Sequence, residues 1–298
     1  MQNLKLSLIQ TPENFQILDI LLENNGIISP LELNTVEIPS EIDWSKGVVI
    51  AGRAPIWLYT YLVHQCHPSA WVAIYDPRWG AIVIQTHKIG APSVGEIIQP
   101  SAILKYYKLP DLNKKIIAFL GNPHTGKSVF LKVLRNTLRK TLPDEVFHRG
   151  LFVIKACPDG EGDWFGELPE DQGKIYRYKN RFDDDFIRKV VSNIELMKNE
   201  KSILLIDCGG KIDKYNQEIL NKCTHSIILG TDDLSIAEWR GASKLAGVDI
   251  LAEVISSKKD VSKVLNTQPL LVEYGFLDRN KKDFLPIPDE LIDKIINK

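Results

Sequence analysis

The octapeptide Gly121-Asn122-Pro123-His124-Thr125-Gly126-Lys127-Ser128 satisfies G-x-x-x-x-G-K-[ST] at every fixed position, and it constrains the fold more than any other stretch of the chain. Such a loop works only where a buried strand ends and a helix begins. Its glycines let the backbone wrap until several N–H groups converge on phosphate oxygens, and the positive end of the helix lies behind them. The flanks meet that condition. Ile116–Leu120 is an apolar strand pattern, and Ser128–Leu142 carries Leu131, Leu134 and Leu138 at helical spacing. The loop therefore predicts a nucleoside triphosphate, ATP, with Lys127 on the β- and γ-phosphates and the Ser128 hydroxyl on Mg²⁺.

The rest of the C-terminal part follows the alternation this loop requires. Strand patterns at Leu151–Ala156, Ile203–Ile206, Ser226–Leu229 and Asp249–Ile255 alternate with helical patterns at Asp185–Asn199 and Leu234–Ala246. The near-continuous apolar runs are those of strands buried on both faces of a parallel sheet. An α/β P-loop NTPase domain with a mainly parallel sheet is predicted. Ile203-Leu204-Leu205-Ile206-Asp207 is the partner motif, a buried strand ending in a carboxylate that holds the metal's water shell. Gly209-Gly210 behind it lets backbone approach the γ-phosphate. Asp159, Glu161, Asp163 and Glu167 around Trp164, followed by Lys174, Arg177, Lys179 and Arg181 interleaved with Tyr176 and Tyr178, read either as a solvated loop or as a basic lid over a phosphate acceptor.

At 298 residues the chain is long enough for two domains. The boundary is expected in the polar, proline-containing stretch 106–113, leaving domains over 1–105 and 114–298. A net charge of −1 provides no broad basic field, so long nucleic acid is not an expected partner. Four cysteines, Cys66, Cys157, Cys208 and Cys223, form no C-x-x-C pair and suggest neither a zinc cage nor a disulfide framework. The opening Met-Gln-Asn-Leu-Lys lacks the layout of a signal peptide and no apolar run nears membrane-spanning length. A soluble, cytoplasmic, reduced protein without a membrane partner is expected.

The first domain reads as α+β. Strands are expected near Leu4–Ile9, Phe15–Leu21 and Gly47–Ala51. A helix follows over Pro55–Gln65 with proline at its first position, then a hairpin of Trp71–Tyr75 and Ala81–Thr86 closed over Asp76-Pro77-Arg78-Trp79-Gly80. Functional side chains concentrate within residues 52–87. Gly52-Arg53 precede a helix start, His64 and His67 close that helix, Asp76 and Arg78 lie in the hairpin turn, and His87 follows the second hairpin strand. Each alone has a structural explanation, since Asp-Pro is good turn chemistry and a histidine at a helix end favours the dipole.

The segments Gly47-Val48-Val49-Ile50-Ala51-Gly52-Arg53-Ala54-Pro55-Ile56-Trp57-Leu58, His67-Pro68, Tyr75-Asp76-Pro77-Arg78 and Gln85-Thr86-His87, in this order and spacing, resemble the Csx-three family of CRISPR-associated ring nucleases over roughly residues 1–105. The resemblance implies a ferredoxin-like α+β dimer that degrades cyclic tetra-adenylate, the second messenger of type III CRISPR antiviral defence, with Mn²⁺. Some members carry a C-terminal AAA-type domain, as this chain would. By position the resemblance makes His67, Asp76 and Arg78 catalytic, places Gly52, Arg53 and His87 at the substrate, and makes His67, Asp76 and His87 the Mn²⁺ ligands.

The chemistry such a substrate demands is compatible with these residues. An RNA ring carries its own nucleophile, the 2′-hydroxyl, so the enzyme supplies alignment, a base or metal, and positive charge on the transition state. His67 suits base or ligand, Arg78 a forked phosphate clamp, and Asp76 a metal ligand or histidine orienter. A four-fold ring exceeds one such site, so a homo-oligomer with shared pockets is expected. Three readings stand at this point. One is a ring nuclease with a modulating ATP domain. The second is a nucleotide or RNA kinase or ATPase with a cyclic-oligoadenylate sensor, and the third a sensor that binds the ring without cutting it.

Overall fold

A computed structural model describes residues 3–23, 27–77, 79–107, 112–157, 182–281 and 283–297. The chain forms two compact units, Met1–Pro110 with Pro143–Arg149, and Asp111–Leu142 with Gly150–Lys298.

The first unit is α+β, with a six-stranded mixed sheet of sequential order β1 to β6. β1 (Leu4–Gln10) and β2 (Phe15–Leu22) form an antiparallel hairpin. β3 (Gly47–Gly52) and β4 (Trp71–Asp76) continue parallel to β2, and α1 (Ile56–Gln65) connects these two parallel strands. β5 (Gly80–Thr86) turns back antiparallel to β4, and β6 (Ile97–Ile98) closes the edge ahead of α2 (Pro100–Leu104). This order departs from the ferredoxin-like arrangement, in which the crossovers split the strand pairs. Here each new strand pairs with the one before it.

β3 reads as an unbroken apolar run because both its faces are covered. Val48 and Ile50 pack with Leu58 and Leu62 of α1, while Val49 and Ala51 pack with Trp71, Ala73 and Ile103 on the other side. Leu58 and Leu62 are fully buried, each contributing about 2 kcal/mol by area. Pro55 is the cap of α1, with φ −66° and ψ 150°, and not its first helical residue. Its fixed φ suits the extended approach to the helix as well as the first turn, so sequence cannot separate the two positions.

The second unit is α/β, a seven-stranded sheet of order β12-β13-β11-β10-β7-β9-β8, parallel except for β12 against β13. β7 (Lys115–Leu120) leads through the glycine-rich loop into α3 (Lys127–Thr141). The next helix, α4 (Asp144–Gly150), lies almost wholly in the segment that clusters with the first unit. β8 (Leu151–Ala156), α5 (Asp184–Glu200), β9 (Ile203–Cys208), α6 (Lys214–Leu220), β10 (His225–Gly230), α7 (Asp233–Leu245) and β11 (Asp249–Ser257) continue the alternation. A terminal hairpin, β12 (Ser262–Thr267) and β13 (Leu270–Gly275), and α8 (Asp289–Ile296) complete it. α5, α6 and α7 each start at an aspartate, Asp183, Asp213 and Asp232, whose carboxylate accepts from a backbone N–H of the first turn. Among the described residues no helix is long and apolar enough to cross a membrane.

Candidate functional site

The glycine-rich loop at residues 121–128 joins the end of β7 to the start of α3, between the neighbouring strands β10 and β9. Gly121 has φ +142°, and a Cβ there would stand 2.1 Å from the Leu229 carbonyl oxygen, so no larger residue fits without moving β10. The loop then takes His124 into the left-handed region at φ 65°. Phe130 N–H donates to the Gly126 carbonyl as the first bond of α3, and no side chain caps this end. The N–H groups of the first turn therefore point out of the helix without intrahelical partners, which is the donor set an anion takes up.

The charged groups are held ready around that cradle. Lys127 is buried, and its Nζ donates to the carbonyls of Gly121 at 2.6 Å and Asn122 at 3.0 Å. Ser128 Oγ donates to Asp207 Oδ2 at 2.9 Å. β9 brings Asp207 opposite Phe119 of β7, one residue short of the end of that strand. A hydroxyl and a carboxylate side by side are hard oxygen donors, the set that suits Mg²⁺.

Further groups fix the loop that the sequence does not single out. Trp239 of α7, buried, donates from Nε1 to Asn122 Oδ1 at 2.9 Å. Its only sequence signal is that a buried indole N–H needs an acceptor. Thr125 Oγ1 donates to the Asn122 carbonyl at 2.9 Å. Asn216 Oδ1 accepts from Gly209 N–H at 3.0 Å while its Nδ2 donates to the Lys211 carbonyl, pinning the turn behind Asp207. Pro123 is exposed at the loop tip. The acidic and basic stretch from Asp159 to Arg181, considered as a lid, lies outside the described residues.

In the first unit the structure sorts the residues of segment 52–87 onto two opposite edges of one sheet, those formed by the two ends of its parallel strands. At one edge, His67 and His87 meet edge to face with ring centroids 4.6 Å apart. His67 Nδ1 lies 3.4 Å from Gln85 Oε1, and His87 N–H donates to the Ala70 carbonyl at 2.9 Å. Both imidazoles are exposed.

At the other edge, where parallel strands β2, β3 and β4 all end, stand Gly52, Arg53 and Asp76. Gly52 has φ +123°, and a Cβ there would lie 2.3 Å from the Ile20 carbonyl oxygen. The exposed Arg53 follows from that tight turn. Tyr59 of α1 donates its hydroxyl to the Gly52 carbonyl. Burial, then the charges of Asp19 and Asp76, push this hydroxyl up to about 12, so it stays a donor at neutral pH. Arg78 lies outside the described residues.

The set His67, Asp76 and His87 is thus not assembled within one chain. Trp71 pairs with Thr86 next to His87, whereas Asp76 pairs with Gly80 at the far end of the same hairpin. Five residues of extended strand separate the two ends, about 16 Å. Among the described residues no three His, Cys, Asp or Glu side chains come together in a metal-binding group. Proximity in sequence misleads here because β4, an extended strand, runs between them. One chain supplies two imidazoles, which does not fit the Mn²⁺ set expected from these three residues.

Solved structures with similarity to this chain include the septum site-determining protein MinD complexed with Mg-ADP from Pyrococcus horikoshii OT3. It is 15% identical, covering 61% of this chain and 77% of that one, with a TM-score of 0.34. A putative plasmid partition protein from Borrelia burgdorferi B31 bound to AMPPNP is 14% identical, covering 61% of this chain and 95% of that one, with a TM-score of 0.38. An uncharacterised protein of Aquifex aeolicus (strain VF5) is 38% identical over 52 residues, which are 17% of this chain and 47% of that protein. The chain therefore spans about half the length of this curated relative. Residues 21–99, which include Gly52, Arg53, His67, Asp76 and His87, match the model of the family CRISPR-associated protein (Cas_csx3).

Proposed function

We propose that the first unit cleaves cyclic tetra-adenylate to linear di-adenylates at a site completed by a second copy of the chain, and that the second unit binds ATP with Mg²⁺ and modulates this activity. The match of residues 21–99 to the CRISPR-associated family supports the substrate class. The observation that carries the composite site is the separation of His67 and His87 from Asp76 by the length of β4. Stacking two copies with unlike edges together unites an imidazole pair with a carboxylate, as a closed or continuing assembly of identical chains allows. A ring of four nucleotides is wide enough to lie between two such faces.

In this reading His67 accepts the proton of a ribose 2′-hydroxyl, and Gln85 at its Nδ1 orients the imidazole. The 2′-oxygen forms a bond to the adjacent phosphorus, and the bond to the 5′-oxygen breaks with that oxygen taking a proton from solvent, which leaves a 2′,3′-cyclic phosphate on one end. Arg53 and the Gly52 turn hold phosphate at the opposite edge, with Asp76 contributed to the His67 edge by the neighbouring copy. Arg78 is the further phosphate clamp the resemblance assigns. A divalent ion, when bound, would neutralise charge on the phosphorane-like transition state. One chain does not gather the three expected ligands.

In the second unit the lysine ammonium that bridges the Gly121 and Asn122 carbonyls would pass to the β- and γ-phosphates. The Ser128–Asp207 pair would hold the Mg²⁺ shell. The test is incubation of labelled cyclic tetra-adenylate with wild type, His67→Ala and Lys127→Ala, with Mn²⁺ or EDTA and with or without ATP. Linear di-adenylates lost in His67→Ala support the nuclease, and their formation in EDTA would show that no metal is required. An intact ring in every lane would overturn the reading.

A further inference from the structure

The segment Pro143–Arg149 follows the P-loop helix in sequence, yet it belongs to the first unit. Its last residue makes a buried ion pair of that unit. The Arg149 guanidinium donates to Asp19 Oδ2, with the arginine side chain 21% exposed and the aspartate 4%. Tyr107 donates its hydroxyl to the other carboxylate oxygen, Asp19 Oδ1, at 3.0 Å. The guanidinium carbon also lies 4.9 Å from the centre of the Tyr107 ring, a cation–π contact that fixes the fork as well as its charge. Nothing in the sequence predicts this cluster, because its members lie on β2, after α2 and at the end of α4.

Asp19 sits directly beneath the substrate-facing edge proposed above. It pairs with Ala51 on β3, and the next rung joins Ile20 to Gly52. Gly52 packs so tightly on Ile20 that a Cβ would meet the Ile20 carbonyl, and its own carbonyl accepts from Tyr59. A displacement of β2 at Asp19 is therefore passed by steric contact to the Gly52–Arg53 turn. The covalent chain supplies the other half of the argument. Lys127 and Ser128 open α3, α3 ends at Thr141, and only Leu142 and Pro143 separate it from α4 and Arg149.

Resting on the function proposed above, we infer that Arg149 and Asp19 are a positioning pair through which nucleotide bound at the start of α3 sets the geometry of the Gly52–Arg53 edge. The element with two arrangements is the Arg149–Asp19 contact, made or loosened as α3 is fixed by phosphate. By linkage, the factor by which nucleotide changes ring affinity at that edge is the factor by which ring changes nucleotide affinity.

The test uses the full chain and two readouts. The first is hydrogen exchange of peptides covering residues 15–22 and 47–59, with and without ATP and Mg²⁺ and again with a non-hydrolysable ATP analogue. Wild type is expected to change its exchange there on nucleotide addition. Arg149→Gln is expected to lose that response, Arg149→Lys to keep part of it, and Lys127→Ala to show none. Asp19→Asn combined with Arg149→Gln replaces the ion pair by two amides. It keeps the comparison open if the single variant destabilises the unit. The second readout is the ratio of ring-cleavage rates with and without ATP, expected to differ by about fivefold or more in wild type and to fall to one in Arg149→Gln. A purely structural role would lower both rates together and leave their ratio unchanged. No exchange response in wild type, or one that survives in both Arg149→Gln backgrounds, overturns the inference. Absence of any ring cleavage would overturn the nuclease reading while the exchange readout still decides this one.

Discussion

The hydrogen bond from Trp239 to the P-loop allows a quantitative prediction. Trp239→Phe keeps an aromatic ring in the same buried pocket but removes Nε1, which donates to Asn122 Oδ1 at 2.9 Å. The lost hydrogen bond is worth about 1 kcal/mol. The smaller ring removes roughly 40 Å² of apolar area from the core, about 1 kcal/mol at ~25 cal/mol per Å². A residual void of roughly 40 Å³ adds about 1 kcal/mol at ~24 cal/mol per Å³. Trp239 is 1% exposed, so little of this is recovered by water, and the second unit should lose about 3 kcal/mol. A double-mutant cycle with Asn122→Ala isolates the hydrogen bond from the packing loss. Slowly exchanging amides of β7 and β10 report the stability of this unit directly. The expected coupling is about 1 kcal/mol, and nucleotide affinity should fall severalfold in either single variant as the loop loses its tether. Additive losses, with coupling below about 0.3 kcal/mol, would refute the assignment of Trp239 to the loop.

Three further outcomes follow from the geometry. Asp207→Asn keeps an acceptor for Ser128 but removes the charge, so nucleotide binding measured by calorimetry should weaken about tenfold or more in Mg²⁺ and little in EDTA; equal losses in both would contradict a metal role. Gly52→Ala forces a Cβ against the Ile20 carbonyl at φ +123° and should destabilise the first unit by about 2 kcal/mol or more, read as a lower urea midpoint; an unchanged midpoint would contradict so tight a turn. Burial pushes the Cys66 thiol from 9.0 up to about 12, and burial with the nearby charges of Asp19 and Asp76 pushes the Tyr59 hydroxyl from 10.0 up to about 12. Both groups bind their protons more tightly folded than unfolded. Their stabilisation is therefore complete below about pH 9 and is lost as pH rises toward about 12. Urea titrations should show the decline starting above pH 9 and made shallower by Tyr59→Phe, and a flat profile would argue against it.

The parts of the molecule governed by local chemistry were legible in the chain. The strand, loop and helix around residues 115–141 follow from one motif, and Asp207 from a buried run ending in a carboxylate. The β-α alternation through β11, apart from the short helix α6, follows from unbroken apolar strands and amphipathic helices. What escaped was non-local or weakly patterned. α4, with the sequence DEVFHRG, is short and polar, so tertiary contacts rather than its own periodicity hold it in a helix. β12, with the sequence SKVLNT, is mostly exposed, and its polar face hides the alternation. The candidate residues of segment 52–87 stand close together in sequence, but their arrangement was not legible there. An extended strand carries Asp76 away from the two histidines that flank it in sequence. The partners of the buried Asp19, Tyr107 and Arg149, are far from it in the chain, and only the fold brings them together.

The proposed composite site makes one requirement that no single-chain site shares. His67→Ala and Asp76→Ala should each fail to cleave cyclic tetra-adenylate, since each breaks one face of every site. Mixed in equal amounts, they should recover a substantial fraction of wild-type cleavage. The intact Asp76 face of one variant meets the intact His67 face of the other. Recovery on mixing is the result this account predicts. Two inactive variants that stay inactive together, beside an active wild type, would contradict it.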